Sequence, residues 1–144
     1  MKIGLVGKPN AGKSTFFTAA TSATAQIGDY PFTTIDKNIG VAYVRKPCPS
    51  NELGLEPNPN NSLSIDGTRF IPIEVIDVAG LVPGAHEGKG MGNKFLDDLR
   101  QADVLIQIVD CSGKTDLEGN SVEEADPLEE VQFLKDELHH WIGE

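Results

Sequence analysis

The sequence predicts an α/β fold in which a mixed, mostly parallel sheet is flanked by helices. Three observations predict it. Short apolar runs alternate with helix-compatible stretches along the 144 residues. The first run leads into "GKPNAGKS", Gly7 to Ser14, which fits G-x-x-x-x-G-K-[ST] between a strand and a helix. A later run, "DVLIQIVD", is apolar without alternation, as a strand covered on both faces requires.

The elements follow in order. Lys2–Val6 is a buried strand. After the glycine loop, "TFFTAATSATA" has helical composition in its first half. Residues 21–38 are rich in Thr, Ser, Gly and Pro and read as a loop. Ile39–Val44 is a strand, and residues 45–67, with four prolines, read as a long irregular insertion. Arg69–Asp77 is the next strand; Pro72 cannot donate to a ladder and belongs near its start or on an unpaired side. Residues 78–92 form a glycine-rich loop, "NKFLDDLRQA" a short helix, Asp103–Asp110 a strand and residues 111–125 a polar loop. The final helix starts with Asp126 as N-cap, Pro127 at its first position and Glu129 closing a capping box. Its apolar face is expected at Leu128, Val131, Leu134, Leu138 and Trp141. Four strands result. Ile39–Val44 and Arg69–Asp77, joined without a helix, pair antiparallel; the others are linked by helices and lie parallel.

Composition narrows the function. A hydrophobic content of 39% and a charged content of 24% describe an ordinary globular domain. No run approaches the ~20 apolar residues that span a bilayer. Cys48 and Cys111 show no metal-ligand spacing and read as thiols of a reduced compartment. With 22 acidic and 12 basic side chains the net charge is −10, which argues against a direct nucleic-acid grip by this segment. The carboxylates between Asp116 and Glu130 carry no basic residue among them and read as a solvated acidic surface.

The chemistry concentrates on phosphate. Gly7 and Gly12 let the backbone curl so that amides point inward as an anion nest, and the helix that follows adds its positive end. Lys8, Pro9, Asn10, Ala11, Gly12, Lys13, Ser14 and Thr15 are the expected nucleotide contacts. Lys13 is placed on the β- and γ-phosphates, and the Ser14 hydroxyl on Mg²⁺. In "YPFTTID", Thr33 and Thr34 are candidate Mg²⁺ ligands and phosphate sensors, and Thr34, before Ile35, is preferred. Asp77 ends a strand at the sheet's carboxyl edge, where ligands bind, and is placed on the metal side; the Gly80 amide is placed on the γ-phosphate. Lys13, Thr34 and Gly80 form the expected catalytic set, and Ser14, Thr34 and Asp77 the metal set.

"GKPNAGKSTFF", "YPFTTI", "DVAGLVPGAHEGKGMGNKFLDDLRQAD" and "IVDCSG", in that order, resemble the Obg-like GTPases and within them the YchF subfamily. The resemblance implies a cytoplasmic, translation-factor-class P-loop NTPase, a switch that uses GTP or ATP near ribosomes. It implies that residues 1–144 are the N-terminal part of a G domain. The base-reading Asn-Lys-x-Asp motif, coiled-coil insertion and TGS domain of such proteins are not in this sequence, so the choice of base stays open. Ras-type enzymes carry a water-orienting Gln after the Gly of Asp-x-x-Gly; here that position is Leu81, a hydrophobic residue as in this group. Asn10 resembles the Asn with which related GTPases hold a catalytic K⁺, and His86 is a further candidate for placing water.

Two other readings compete. A P-loop kinase would surround two phosphoryl groups with arginines, and this chain has only Arg45, Arg69 and Arg100. A phosphate-binding module without useful turnover is the second. A further expectation concerns "VLIQIV": its outer edge should be covered by another chain, or the segment should aggregate.

Overall fold

Leu5 and Val6 are both fully buried. Successive strand residues face opposite sides, so the sheet that holds them must be covered on both faces. The computed structural model, which describes residues 1–22, 38–87 and 92–143, shows that arrangement. Its strands are β1 (Lys2–Val6), β2 (Ile39–Pro47), β3 (Leu63–Ile65), β4 (Thr68–Asp77) and β5 (Val104–Gln107). The helices are α1 (Lys13–Thr21), the single-turn α2 (Ser50–Leu53), α3 (Gly92–Leu99) and α4 (Pro127–Gly143), with a 3-10 turn at Ala85–Glu87. Residues 23–37, which include the expected Thr33 and Thr34 sensors, lie outside the described residues.

The sheet order is β2-β4-β1-β5, with β3 also paired to β4. β1 runs parallel to β4 and to β5, while β2 and β4 pair antiparallel, as the connections predict. On one face Leu5, Ala42 and Val75 pack with Phe17 and Ala20 of α1. On the other, Val6, Ile76, Val78, Leu81, Ala85, Phe95 and Leu134 form the main core, with Phe133, Leu138 and Trp141 of α4 against it.

The insertion is less irregular than expected. β2 continues to Pro47, and β3 adds a fifth strand by pairing antiparallel with β4 through Leu63↔Phe70 and Ile65↔Thr68. The connecting residues are Asp66 and Gly67, at φ 48° and 74°. Two successive positive φ values make the tight turn whose twist matches a hairpin, and Asp-Gly is its strongest sequence signal. That dipeptide was the readable clue, masked by the prolines around it.

Pro72 sits in mid-strand, yet costs no ladder bond. The Glu74 amide donates to Met1 and the Asp77 amide to Asn38, on opposite sides of β4. Alternation puts the Pro72 nitrogen on the Met1 side. There β3 pairs only as far as Phe70 and β1 begins at Glu74, so Pro72 faces the gap between them.

α4 keeps most of its expected face, with Leu134 in the main core and Leu138 and Trp141 packed against it. Asp126 caps it as predicted, its carboxylate accepting from the Leu128 amide at 2.9 Å. Leu128 itself is 73% exposed, however, and the buried positions are Glu130, Leu134 and Glu137. Glu130 and Glu137 join the inward side because the two carboxylates find partners inside the protein, a pairing that no hydrophobic period reveals.

Two outcomes are expected. Phe95 is 1% exposed and meets Trp141 edge to face at 5.4 Å. Phe95→Ala should therefore lower the unfolding free energy by about 3–5 kcal/mol in urea titration; an unchanged midpoint would place Phe95 outside the cooperative core. β5 closes the sheet path, and Val104, Leu105 and Ile106 are 47%, 37% and 38% exposed. This chain should self-associate in sedimentation experiments and Val104→Lys should reduce it; a monomer at high concentration would contradict the edge argument.

Candidate functional site

The parallel register decides where the site forms. Leu5 pairs with Asp77 and Val6 with Gln107, so the carboxyl ends of β1, β4 and β5 reach one edge together. The phosphate loop leaves β1 there. Gly7 adopts φ 154° against the neighbouring strand's continuation, where an added Cβ would stand 2.4 Å from the Ile108 carbonyl oxygen. Asn10 at φ 61° and Gly12 at φ 94° complete the reversal into α1. Nothing lies within 4 Å of a Cβ built on Gly12, so this side of the loop is open. α1 has no side-chain cap at Gly12, which leaves its first amides for an anion.

Lys13 folds back over the loop and its Nζ donates to the Lys8 carbonyl at 2.7 Å. It is 7% exposed. Burial lowers its pKa, an effect opposed by the negative charges of Asp77 and Glu130. The Ser14 hydroxyl donates to Asp77 Oδ2 at 2.6 Å, bridging the start of α1 and the end of β4. Both groups are hard oxygen donors, the type that Mg²⁺ selects. Of the expected metal set, the structure thus brings together Ser14 and Asp77; Thr34 falls outside the described residues.

Gly80 lies against the phosphate loop: a Cβ there would be 3.0 Å from the Pro9 nitrogen. The next amide, of Leu81, donates to the Gly7 carbonyl at 3.1 Å. The Leu81 side chain is 1% exposed and belongs to the main core. It points into packing and not toward a phosphate, which gives the hydrophobic residue at this position a structural reason. His86 falls in the 3-10 turn.

Several contacts in this region have no signal in the sequence. Lys8 directs its amine to the Thr115 carbonyl at 3.0 Å and to Glu130 Oε2 at 3.1 Å. The two charged side chains are 3% and 2% exposed. Asn10 Nδ2 donates to the Gly119 carbonyl at 3.0 Å. Gly119, at φ 84°, would bring a Cβ within 2.7 Å of the Pro9 carbonyl oxygen. The loop after β5 is therefore the outer wall of the phosphate loop; Glu118, Glu123, Glu124, Asp126 and Glu129 stay exposed, as expected of a solvated acidic surface, while Glu130 is buried. A cavity of about 370 Å³ lies beyond Lys8, lined by Thr115, Glu118, Glu124, Asp126 and Glu130 among others. None of Gly12, Lys13, Ser14 or Asp77 lines it, so it is separate from the phosphate cradle.

Asp110 organises this wall. Its carboxylate accepts from the Thr115 hydroxyl and from the Ser112 amide, the latter at 3.0 Å. The Thr115 bond first, then the Ser112 amide and hydroxyl, hold its pKa down at about 2. An unfolded Asp titrates near ~3.9. The folded value is the lower one, so this contribution to stability is complete above the unfolded pKa and is lost as pH falls through about 2. Asp110→Asn should flatten the decline of stability between these two values in acid titration followed by circular dichroism. An unaltered acid slope would remove Asp110 from the account.

Comparison with known proteins gives a consistent answer. A family model described as 50S ribosome-binding GTPase matches residues 2–140. An uncharacterized GTP-binding protein of Methanocaldococcus jannaschii is 67% identical over 140 residues, 97% of this chain and 36% of the relative. The ribosome-binding ATPase YchF of Haemophilus influenzae is 38% identical over 141 residues, 95% of this chain and 36% of the relative. Among solved structures, a GTP-binding protein from Pyrococcus horikoshii is similar with a TM-score of 0.71 and 43% identity, over 99% of this chain and 33% of that one. The YchF GTPase of Schizosaccharomyces pombe is similar with a TM-score of 0.56 and 30% identity, over 96% and 35%. The chain spans about a third of the length of these relatives. The matched region takes in the phosphate loop, Asp77 and the wall after β5 alike, and the chain belongs to the 50S ribosome-binding GTPase family, in its Obg-like YchF group.

Proposed function

We propose that this chain is the phosphate-binding part of a nucleoside-triphosphate switch that binds GTP or ATP with Mg²⁺ and hydrolyses it slowly. The observation that carries the reading is the Ser14–Asp77 contact at 2.6 Å beside the buried Lys13. A hydroxyl, a carboxylate and a cation converge on an open, glycine-lined loop. A phosphate chain with its magnesium asks for that donor set. Mg²⁺ held by Ser14, Asp77 and Thr34 would neutralise charge on the β- and γ-phosphates.

The protein's own groups do the rest. Lys13 exchanges the Lys8 carbonyl for phosphate oxygens, a short movement of a side chain already in the loop. Amides from Asn10 to Thr15 hold the phosphates, and the Gly80 amide marks the presence of the last one. With Leu81 buried, water is positioned by backbone groups of the Gly80 and Thr34 segments, which suits slow turnover. Asn10, tethered through Nδ2, keeps an amide oxygen with which to serve a monovalent cation such as K⁺. Equal hydrolysis rates in Na⁺ and K⁺ would remove the cation from the mechanism.

The relatives named above as ribosome-binding suggest a ribosomal partner and a cytoplasmic setting for the whole protein. On this reading residues 1–144 are the N-terminal part of a G domain, and base recognition lies in the further length that the relatives possess. The absence of an Asn-Lys-x-Asp sequence favours a second outcome for this segment by itself, phosphate binding with weak base preference. The kinase reading loses support. Arg69 pairs opposite Lys46 at the start of β4, eight residues or about 26 Å from the Asp77 end. There its Nε donates to Ser62, and Arg45 stacks over Phe70 at 5.6 Å.

Calorimetric titration with GTP, ATP and GDP, with and without Mg²⁺, tests the proposal. Lys13→Ala should weaken triphosphate binding about 10- to 100-fold, the worth of roughly one charge-assisted hydrogen bond. Asp77→Ala should make affinity insensitive to Mg²⁺. Wild-type affinity in Lys13→Ala would end the phosphate-site reading.

A further inference from the structure

Glu is almost never fully buried unless paired. α4 buries two, Glu130 at 1% and Glu137 at 6% exposure. They are seven residues apart, two turns or about 10.5 Å along one face. Between them Leu134, at 6% exposure, anchors the helix in the main core. Each carboxylate holds a different loop. Glu130 takes Lys8 of the phosphate loop at 3.1 Å and also accepts from the Asp110 amide at 3.2 Å. Glu137 accepts from the Gly84 amide at 2.8 Å, in the segment that follows Asp77 and Gly80. The two loops meet directly through the Leu81 amide and the Gly7 carbonyl.

We propose that α4 is a positioning strut: Glu130 and Glu137 tie the phosphate loop and the Gly80–Gly84 segment to one rigid helix, which fixes how the two loops face each other. The helix touches no phosphate. It acts through Lys8 and Gly84 on the segments that do, and this role rests on the phosphate-site reading above. The geometry explains why charge is spent inside the core. A hydrophobic contact would bury the same surface but would let either loop slide, whereas a carboxylate aimed at one ammonium or one amide fixes an orientation. The strut also makes the loops interdependent. Release of Gly84 from Glu137 frees the segment that carries Gly80, and the Leu81–Gly7 bond loses its backing.

Hydrogen exchange in this chain without nucleotide reads the strut directly. In Glu137→Ala the Gly84 amide must exchange faster, since its acceptor is gone. The informative amide is Leu81, which donates to the Gly7 carbonyl and should exchange about fivefold faster, the worth of roughly one hydrogen bond. Glu137→Gln keeps a carbonyl acceptor and should stay near the parent. Glu137→Asp, which withdraws the carboxylate by one methylene, should behave like Glu137→Ala and serves if the alanine variant is poorly folded. In the reverse direction, replacing the buried pair by Lys8→Met with Glu130→Met avoids an orphan charge. It should speed exchange at Gly84. Acceleration confined to Gly84 in Glu137→Ala, a glutamine variant that fails to rescue, or an unaffected Gly84 in the double variant would each overturn the proposal. With nucleotide, Glu137→Ala should lower the ratio of triphosphate to diphosphate affinity about fivefold, and an unchanged ratio would likewise count against the strut. Absence of any nucleotide binding by the parent would sink the phosphate-site reading, while the exchange data would still decide whether α4 couples the loops.

Discussion

The parallel pairing of β1 with both β4 and β5 is the constraint on which the site depends. Parallel strands end on the same edge, and in this register the backbone leaving Val6 emerges beside Asp77 and Gln107. The phosphate loop therefore begins next to the carboxylate that Ser14 reaches at 2.6 Å. Had β4 run antiparallel to β1, Asp77 would lie at the far end of the sheet. β4 carries both relations at once, parallel to β1 and antiparallel to β2. This sends the insertion after β2 to the opposite edge, away from the phosphate side.

Buried polarity distinguishes the wall of the phosphate loop from the cores on either side of it. Lys8, Lys13, Glu130 and Glu137 are all buried. Such groups cost desolvation, which good partners only offset. Their benefit here is orientation. Lys8 pins the loop's outer side to Glu130 and Thr115. Lys13 itself rests on the Lys8 carbonyl. The two lysines, five residues apart, thus hold quite different partners. Gly7, Gly80 and Gly119 serve the same end by close approach, since each admits a neighbouring backbone where a side chain would collide.

Much of this was legible beforehand, and the legible parts are those governed by local rules. β1, the glycine loop, α1, the antiparallel β2–β4 pair, the Asp126 cap and the adjacency of Ser14 and Asp77 follow from apolar runs, turn chemistry and chain connections. β3 was also written locally, in the Asp-Gly of its hairpin, but prolines nearby suggested irregularity. Pro72 was constrained correctly to an unpaired side, though its place in mid-strand required knowing that β3 and β1 leave a gap along β4. Thr34 falls outside the described residues.

The sequence by itself determined the class of fold, the glycine loop between β1 and α1 and the family, because these rest on short-range patterns in which each residue type has one physical use. Tertiary structure alone decided that Glu130 and Glu137 are buried on α4, that Leu81 belongs to the core, and that the Lys8 amine turns to Glu130. The reason is that such placements depend on neighbours distant in the chain. A buried charge takes its position from a partner more than a hundred residues away, as Lys8 does from Glu130, and spacing along the chain carries no record of that partner.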